Sequence, residues 1–274
     1  MHTKEEKLQA FSRLLDVMDS LREKCPWNAA QTMDTIRPMT EEEVYELSDA
    51  IMRKDMPDVA KEIGDLLYHL VFYARIAQEN GDFDIGDSLA KICDKMVFRH
   101  PHVFGDSAGK QLSAKEIADT WELVKAKEKD GNKRVLSGVP DTLPPLLKAY
   151  RMQDKARGVG FDWEKKEQVW DKVKEEMNEY QAELDAMDQA GTPEQQAQAK
   201  SRAEEELGDF LFATVNAARL YGLNPDTALE RTCAKFKRRF TYLEEHTIRQ
   251  GRNLKDMTLA QMDEIWDEAK AKGL

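Results

Sequence analysis

The sequence predicts an all-α protein made of two copies of one helical unit. Apolar residues recur along most of the chain at the 3.6-residue spacing of an amphipathic helix. In addition, an ordered set of short motifs in the first half returns at similar spacing in the second half. A set of motifs that repeats in a fixed order is typical of a duplicated domain. We therefore predict two helical domains in tandem.

The first helix is predicted over residues 4–24, where the apolar side chains follow helical spacing. The Cys-Pro-Trp sequence at 25–27 ends it, because proline cannot comfortably continue a helix. A second helix is predicted to start near Thr40, and a third to open at Met56. A fourth is predicted over 85–99, after a turn at Gly-Asp and before a His-Pro-His sequence that ends it.

The helix that closes the first half is predicted from a capping box formed by Ser113 and Glu116, and it would run through Trp121 and Lys125. In the second half, Thr258 and Gln261 form the corresponding cap for a helix that carries Trp266 and Lys270. The segment 185–203 is longer than its counterpart and is rich in Gln and Ala, so we expect it to contain a helix–helix loop.

A turn-rich segment separates the two halves. Residues 130–145 contain several glycines and prolines and show no helical pattern. We therefore predict an N-terminal domain at 1–129, a linker at 130–145 and a C-terminal domain at 146–274.

Two acidic motifs recur in both halves. Glu-Glu-x-x-Glu occupies 42–46 and 175–179, and Glu-x-x-Asp occupies 62–65 and 206–209. In a helix, carboxylates three residues apart lie on one face. Each Glu-x-x-Asp is followed by nine residues without Asp, Glu, Lys or Arg, and we expect so apolar a helix to be buried almost all round. An unpaired carboxylate at the edge of a core is costly, and a cation would relieve that cost.

The chemistry of these acids favours a hard cation. Four carboxylates from two facing helices suit Mg²⁺ or Mn²⁺, which prefer oxygen ligands, better than zinc. A di-iron bundle would use Glu-x-x-His pairs, and that tetrapeptide is absent from the sequence. For any one motif alone, a solvated acidic face remains the alternative. The pairing of the two motifs, found twice, favours metal binding.

Cationic and aromatic residues further along the chain offer contacts for a phosphorylated substrate. Lys235 and Arg239 are one helical turn apart, and Trp266 places an aromatic ring one turn from Lys270. A solvated basic helix end and a core tryptophan are the alternative interpretations. His100 and His102 flank a proline at a helix end and are interpreted as structural.

The ordered set Glu-Glu-x-x-Glu, Glu-x-x-Asp and Lys-x-x-x-Arg resembles the MazG family of nucleoside triphosphate pyrophosphohydrolases. With Cys-Pro-Trp at 25–27, His-Pro-His-Val-Phe at 100–104 and Val-Gly-Phe-Asp-Trp at 159–163, the resemblance to two-domain bacterial members covers nearly the whole chain. It implies an all-α NTP pyrophosphatase fold, with a four-helix-bundle-like core completed by homodimerisation. It also implies Mg²⁺-dependent, base-tolerant hydrolysis of NTP or dNTP to NMP and pyrophosphate, in house-cleaning or nucleotide-pool control.

The resemblance also implies site residues, carried over by position. The metal ligands would be Glu176, Glu179, Glu206 and Asp209. The nucleotide would be bound by Lys172, Arg202, Glu205, Lys235, Arg239, Trp266 and Lys270. In catalysis, Glu175 or Glu176 would orient or deprotonate the attacking water, while Lys235 and Arg239 would stabilise the departing pyrophosphate.

The two halves differ one helical turn before their acids. Lys172 and Arg202 in the second half replace Met39 and Asp58 in the first, so a polyphosphate would meet two extra cations in the second half. We therefore predict that residues 146–274 are catalytic. The first half would then be a degenerate or regulatory copy, or the dimer scaffold. A second, weak site stays open there, because the half keeps a complete set of residues: Glu43, Glu46, Glu62, Asp65, Lys95 and Arg99.

Composition narrows the class of protein and of partner. The net charge of −11 argues against binding to nucleic acid or to an anionic membrane. Neither a membrane-spanning run nor a signal-peptide pattern is present, and three widely spaced cysteines are interpreted as free thiols, so we expect a cytoplasmic protein. Two alternatives stay open: a non-catalytic acidic helical module that binds a basic partner, and a related hydrolase restricted to a modified nucleotide.

Overall fold

The computed structural model describes residues 1–105, 112–113, 116–117, 124 and 134–274. Within these ranges the chain is helical and contains no β-strand. The predicted all-α fold class is therefore confirmed. The chain divides into two compact units, Met1–Leu112 and Ser113–Leu274.

The first unit is organised around one long helix. Its helices are α1 (Lys4–Lys24), α2 (Pro26–Ala29), α3 (Met33–Arg53), α4 (Met56–Asn80), α5 (Ile85–Arg99) and α6 (Pro101–Phe104). α4 packs against α1, α3 and α5. The core lies where α1, α3 and α4 meet and contains Met18, Ile36, Val71, Phe72 and Ile76.

The ends of these helices follow local chemistry. Thr3 caps α1 through a capping box with Glu6. Asp55 caps α4 by accepting a hydrogen bond from the backbone N–H of Asp58, and Gly81 ends α4 in the left-handed conformation, with φ of +78°. The predicted bounds of α1, α4 and α5 are confirmed to within a residue or two.

The predicted start of α3 near Thr40 is wrong, because the helix begins at Met33 and contains Pro38. Proline lacks an N–H, so it removes one hydrogen bond to the preceding turn. Thr32 compensates by capping the helix through a box with Thr35, and Ile36 is fully buried in the core. The cap and the burial outweigh the lost hydrogen bond.

The second unit contains two helical pairs. Its helices are α7 (Pro145–Arg157), α8 (Val169–Asp188), α9 (Pro193–Leu220), α10 (Pro225–Arg249) and α11 (Leu259–Ala271). α8 and α9 pack as an antiparallel hairpin joined by the loop 189–192, α10 packs against α11, and α7 contacts α9 and α10. The hairpin core contains Val169, Val173, Ala213 and Ala217. The loop confirms the helix–helix connection expected within 185–203.

The apolar runs that follow each Glu-x-x-Asp motif are buried on one face only. Leu67 and Leu70 of α4 are 41% and 52% exposed, and Leu211 and Phe212 of α9 are 47% and 42% exposed. The expectation of a helix buried almost all round is therefore wrong for the single chain. A helical hairpin covers one face of each helix, and the exposed side chains show that the described residues leave the other face of these runs largely open.

The capping box expected at the start of the last helix of the first half is present. The backbone N–H of Glu116 donates to Ser113 Oγ at 3.3 Å, and the N–H of Ser113 donates to Glu116 Oε2 at 2.8 Å. The helix expected through Trp121 and Lys125 lies outside the described residues, as does the start of the predicted linker. In the parts of the chain that the structure describes, none of the helices combines the length and apolarity needed to cross a membrane.

Candidate metal and nucleotide site

The hairpin α8–α9 brings the two acidic motifs of the second half together. One carboxylate oxygen from each of Glu176, Glu206 and Asp209 lies within 4.8 Å of the other two. On α8, Glu175, Glu176 and Glu179 form an overlapping group by the same measure. Glu176 belongs to both groups and is 6% exposed. The four predicted metal ligands therefore lie in two groups that share a buried carboxylate.

The packing of the hairpin explains this arrangement. Val173 and Ala213 belong to the same buried cluster and fix the register of α8 against α9. Glu176 follows Val173 by three residues, and Asp209 precedes Ala213 by four, so both acids lie about one turn from that contact on the same side of the hairpin. The same core contact that holds the two helices together thus places their carboxylates side by side.

Mutual repulsion and burial mark this group as a site for positive charge. Partial burial, followed by the charges of Glu179, Asp209 and Glu176, raises the pKa of Glu206. Lys172 Nζ lies 2.7 Å from Glu175 Oε1 and 2.6 Å from Glu176 Oε1. Hydrogen bonds to these two carboxylates raise the pKa of Lys172. The group therefore attracts a cation from within the chain.

The donor set fits a hard divalent cation. Each candidate ligand in these groups is a carboxylate, and carboxylate oxygens are the protein ligands that Mg²⁺ and Mn²⁺ prefer. A buried carboxylate beside two like charges is stabilised when a cation binds between them. On these observations, Glu176, Glu179, Glu206 and Asp209 are able to hold one.

The first unit contains a corresponding group on α3 and α4. Glu43, Glu62 and Asp65 each offer an oxygen within 4.8 Å of the other two. Burial, followed by the charges of Asp65, Glu46 and Glu62, raises the pKa of Glu43. Glu46 itself is exposed and lies outside the group of three.

The other two residues of the predicted weaker site lie on α5. Lys95 is exposed there, and Arg99 is partly buried.

A lysine occupies the acid group of the first unit, and the sequence analysis missed it. Lys61 Nζ lies 2.7 Å from Glu62 Oε1 and 3.7 Å from Asp65 Oδ2. The hydrogen bond to Glu62 raises the pKa of Lys61. The signal was present in the alignment of the halves, because Lys61 stands where the second half has Glu205.

Asp58, which the sequence analysis counted as an extra acid facing a polyphosphate, is paired with an arginine. Arg53 lies 2.5 Å from Asp58, 2.8 Å from Asp49 and 3.2 Å from Asp55. The hydrogen bonds to Asp49 and Asp58 raise the pKa of Arg53. Arg53, Asp49, Asp58 and Glu62 line an open cleft of about 650 Å³. The negative charge of Asp58 is therefore compensated within the unit.

The predicted nucleotide residues of α10 and α11 form a second group. The guanidinium carbon of Arg239 lies 6.0 Å from the centre of the Trp266 ring, and Phe236 packs against that ring at 5.2 Å. Lys270 is paired with Asp267 at 2.8 Å, and Lys235 is exposed. The structure thus places the Arg239 guanidinium over the Trp266 ring, whereas the sequence analysis expected the ammonium of Lys270 beside that ring.

The remaining predicted contacts lie apart from one another. Arg202 Nε donates to Glu183 Oε2 across the hairpin at 2.8 Å, and Glu205 is exposed beside Glu206. Arg239 Nε donates to the main-chain oxygen of Leu274 at 2.7 Å. Among the described residues, no hydrogen bond or ion pair joins Lys235 or Arg239 to the acid group of α8 and α9.

Comparisons with known proteins agree with the geometry. A family model described as the MazG nucleotide pyrophosphohydrolase domain matches residues 31–104 and 164–243. The Glu-Glu-x-x-Glu motifs at 42–46 and 175–179 and the Glu-x-x-Asp motifs at 62–65 and 206–209 all lie within the matched segments, one pair in each. The duplication found in the motifs is therefore also found in the family match.

Two named relatives match over nearly the full length. The chain is 41% identical over 270 residues to a nucleoside triphosphate pyrophosphohydrolase of Escherichia coli (strain K12), with 96% of this chain and 98% of the relative covered. It is 38% identical over 263 residues to the nucleoside triphosphate pyrophosphohydrolase/pyrophosphatase MazG of Thermotoga maritima, with 95% of each covered. A crystal structure of a mazG-related protein from Thermotoga maritima overlaps 42% of this chain and 99% of that one at 28% identity, with a TM-score of 0.38.

Proposed function

This chain belongs to the MazG family of nucleotide pyrophosphohydrolases and is a hydrolase of nucleoside triphosphates, and we propose that its reaction requires Mg²⁺, or Mn²⁺ in its place. The substrates would be NTPs or dNTPs with a broad choice of base, and the products NMP and pyrophosphate. The observation that supports this proposal most strongly is the close approach of Glu176, Glu206 and Asp209, with Glu176 buried. Such a reaction would serve house-cleaning or the control of nucleotide pools.

The four proposed ligands, Glu176, Glu179, Glu206 and Asp209, are supported by their overlapping carboxylate groups. When bound, a divalent cation neutralises phosphate oxygens and lowers the pKa of a water molecule. Glu175 lies beside the group and is exposed, so its carboxylate is accessible to accept a proton from, or to orient, the attacking water.

The proposed nucleotide contacts divide by chemistry. Lys172 already lies on the acid group and would shift to a phosphate oxygen, which is a better partner than a carboxylate shared with a metal. Arg202, Lys235 and Arg239 would bind the remaining phosphate charge, and the last two would stabilise the departing pyrophosphate. Trp266 offers its ring to the base next to the Arg239 guanidinium. Glu205 and Lys270 complete the proposed set.

We assign catalysis to the proposed C-terminal domain, residues 146–274, which follows a linker at 130–145 and an N-terminal domain at 1–129. In the C-terminal half, Lys172 lies on the acid group and Arg202 is exposed on the same hairpin. In the first half, Met39 is neutral and Asp58 is bound to Arg53. A polyphosphate in the second half would therefore meet Lys172 and Arg202, each of which would exchange a carboxylate partner for a phosphate, where the first half offers Met39 and the Asp58–Arg53 pair.

A homodimer is the proposed assembly. The exposed leucines of α4 and the exposed Leu211 and Phe212 of α9 form apolar faces that a second copy would cover. Sedimentation should therefore give a mass near twice the 31.5 kDa of one chain.

The cytoplasm is the proposed compartment, since Cys25, Cys93 and Cys233 are free thiols. The net charge of −11 leads us to expect neither nucleic acid nor a membrane as a partner.

A product analysis tests the reaction. Purified protein would be incubated with each NTP and dNTP, with and without Mg²⁺, and the products separated by anion exchange. We expect NMP and pyrophosphate only in the presence of metal. NDP and phosphate would place the scissile bond elsewhere, and release of products in the absence of metal would contradict the proposed role of the acids.

Charge-preserving substitutions separate this function from an acidic module that binds a basic partner. Glu176→Asp and Glu206→Asp keep the charge but move the carboxylate by one methylene. Metal ligation predicts that each lowers kcat/KM by at least about tenfold, since a site tolerates displacements of only about 0.5 Å. Glu204→Asp, on the exposed side of α9, is the matched control. Equal activity in all three variants would favour the binding module.

A further inference from the structure

The two acid groups differ at the position just before each Glu-x-x-Asp motif. Lys61 precedes Glu62 in the first half, and Glu205 precedes Glu206 in the second. One position thus adds a positive charge to one acid group and a negative charge to the other. At short range such a difference of two charges is large compared with the binding energy of a single weak ligand.

Lys61 makes its contacts with members of the acid group itself. Its Nζ lies 2.7 Å from Glu62 Oε1 and 3.7 Å from Asp65 Oδ2, and both residues belong to the group that includes Glu43. The side chain of Lys61 is 62% exposed, so its charged end reaches the carboxylates from the solvent side. A cation that enters this group would find two of its three carboxylates, Glu62 and Asp65, already in contact with the Lys61 ammonium.

Glu62 carries an unused oxygen. The residue is 2% exposed, and its Oε2 is buried without a hydrogen-bond partner in the described part of the chain. A buried carboxylate oxygen without a donor is costly, and a metal ion among Glu43, Glu62 and Asp65 would satisfy it. Lys61 contacts Oε1 of Glu62 but leaves Oε2 without a partner. The unpaired oxygen and the neighbouring carboxylates together indicate that this group can still bind a cation.

The lysine of the second half is placed differently. Lys172 binds Glu176 at 2.6 Å, but it is also bound at 2.7 Å to Glu175, which lies outside the group formed by Glu176, Glu206 and Asp209. Lys172 therefore keeps one partner when it leaves the metal ligands. Lys61 has no such second partner among the described residues, because both of its carboxylates belong to the group.

We propose that Lys61 acts as a tethered cation that competes with a divalent metal ion for Glu62 and Asp65, and so lowers the affinity of the first acid group for metal. The inference rests on the proposed function, since it assumes that these paired motifs bind a divalent cation. It assigns the difference in metal affinity between the halves to one residue. With glutamate at position 61, as at position 205, the first group would bind metal tightly.

Manganese binding to the full chain tests this role. Mn²⁺ would be titrated and the free ion followed by electron paramagnetic resonance, in a Glu206→Gln background that removes the second group. We expect this parent to show a weak site, Lys61→Gln to strengthen it about tenfold, and Lys61→Glu to strengthen it further, because one lost repulsive charge at this range is worth about one decade in affinity. Adding Glu62→Gln to Lys61→Gln should abolish the gain.

The matched control is Lys24→Gln. Lys24 is exposed and follows by two residues Arg22, whose partner Glu79 lies about 25 Å along α4 from Glu62. The Lys24→Gln substitution changes the net charge by the same amount as Lys61→Gln and should leave the affinity for Mn²⁺ unchanged. The proposal is overturned if Lys61→Gln and Lys24→Gln have equal effects, or if the gain survives Glu62→Gln.

The unmodified chain distinguishes failure of this proposal from failure of the proposed function. If it binds Mn²⁺ tightly while position 61 has no effect in the Glu206→Gln background, only the role of Lys61 is wrong. If neither group binds Mn²⁺ in any variant with intact helical circular dichroism, the metal function and this inference both fall.

Discussion

The two halves carry the same acidic motifs on helical hairpins with different cores. In the second half, Val173, Ala213 and Ala217 form a small aliphatic contact between α8 and α9. The corresponding positions on α3 and α4 are Thr40, His69 and Tyr73. Thr40 Oγ1 lies 2.8 Å from Tyr73 Oη and 3.3 Å from His69 Nδ1, so the first half replaces an aliphatic contact with a hydrogen-bonded polar one.

Because hairpins with an aliphatic and with a polar core both bring three carboxylates together, the positions of these carboxylates depend on the register of the two helices. They do not depend on whether the core contact is polar or apolar. Both cores hold a Glu-Glu-x-x-Glu helix against a Glu-x-x-Asp helix, and both produce a group of three carboxylates. A buried polar contact is tolerated where its members satisfy one another. In the proposed function, the residues around the group, such as Lys61, Lys172 and Arg53, then make the difference between the halves.

The largest expected difference between the halves is in turnover. Glu206→Gln removes a proposed metal ligand without changing the size of the side chain. We expect kcat to fall by more than about 100-fold, because substitutions of residues that only hydrogen-bond to a metal ligand already cost 10- to 100-fold. The matched change Glu62→Gln should lower kcat less than about threefold. NMP release by anion exchange, with circular dichroism to check folding, gives both values. A larger loss from Glu62→Gln would move catalysis to the first half.

A second difference lies in the ion pairs of corresponding arginines. Arg219 of α9 is 5% exposed and donates from Nη1 to Asp162 Oδ2 at 3.0 Å. Nε of Arg75 on α4 lies 2.7 Å from Asp19, but this contact does not have the geometry of a hydrogen bond. The side chain of Asp19 is 64% exposed. Breaking a buried pair leaves a desolvated charge, whereas an exposed pair contributes little.

Asp162→Asn should therefore lower the free energy of unfolding by about 3 kcal/mol, and Asp19→Asn by less than about 1 kcal/mol. Urea denaturation followed by circular dichroism measures both. The order of the two effects is the test, and a larger cost at Asp19 would show that the exposed pair has been undervalued.

The smallest expected difference concerns the polar core of the first half. Thr40→Val removes the hydroxyl that contacts His69 and Tyr73, and leaving buried polar groups short of a partner should cost about 1–2 kcal/mol. Thr214→Val on α9 is the control, because Thr214 is exposed and bonded only to Phe210 of its own helix. Its cost should stay within about 0.5 kcal/mol in the same denaturation experiment.

The sequence predicted those features that depend on local chemistry. Caps, prolines and glycines located the ends of α1, α4 and α5, and the three-residue spacing predicted which carboxylates share a face. The start of α3 was missed because Thr32 and Ile36 stabilise a helix through Pro38, and that balance depends on tertiary packing.

Contacts between helices could not be read from spacing. Arg202 pairs with Glu183 because of the hairpin register, which the packing of Val173 with Ala213 fixes and which spacing along the sequence does not reveal. Lys61 was missed because adjacent residues on a helix point in different directions, yet its long side chain reaches back to Glu62. The exposure of Leu211 and Phe212 was missed because an apolar run alone does not reveal how many helices surround it.

We propose that the acid group of α8 and α9 holds the divalent cation on which pyrophosphohydrolysis depends. The most direct test is to titrate Mg²⁺ into the chelator-treated Glu62→Gln variant, in which only the second acid group is complete, and to measure NMP and pyrophosphate. We expect no products before Mg²⁺ is added and near-normal turnover at saturating Mg²⁺. Products that form without Mg²⁺, or a Glu62→Gln variant that stays inactive at saturating Mg²⁺ while still folded, would contradict it.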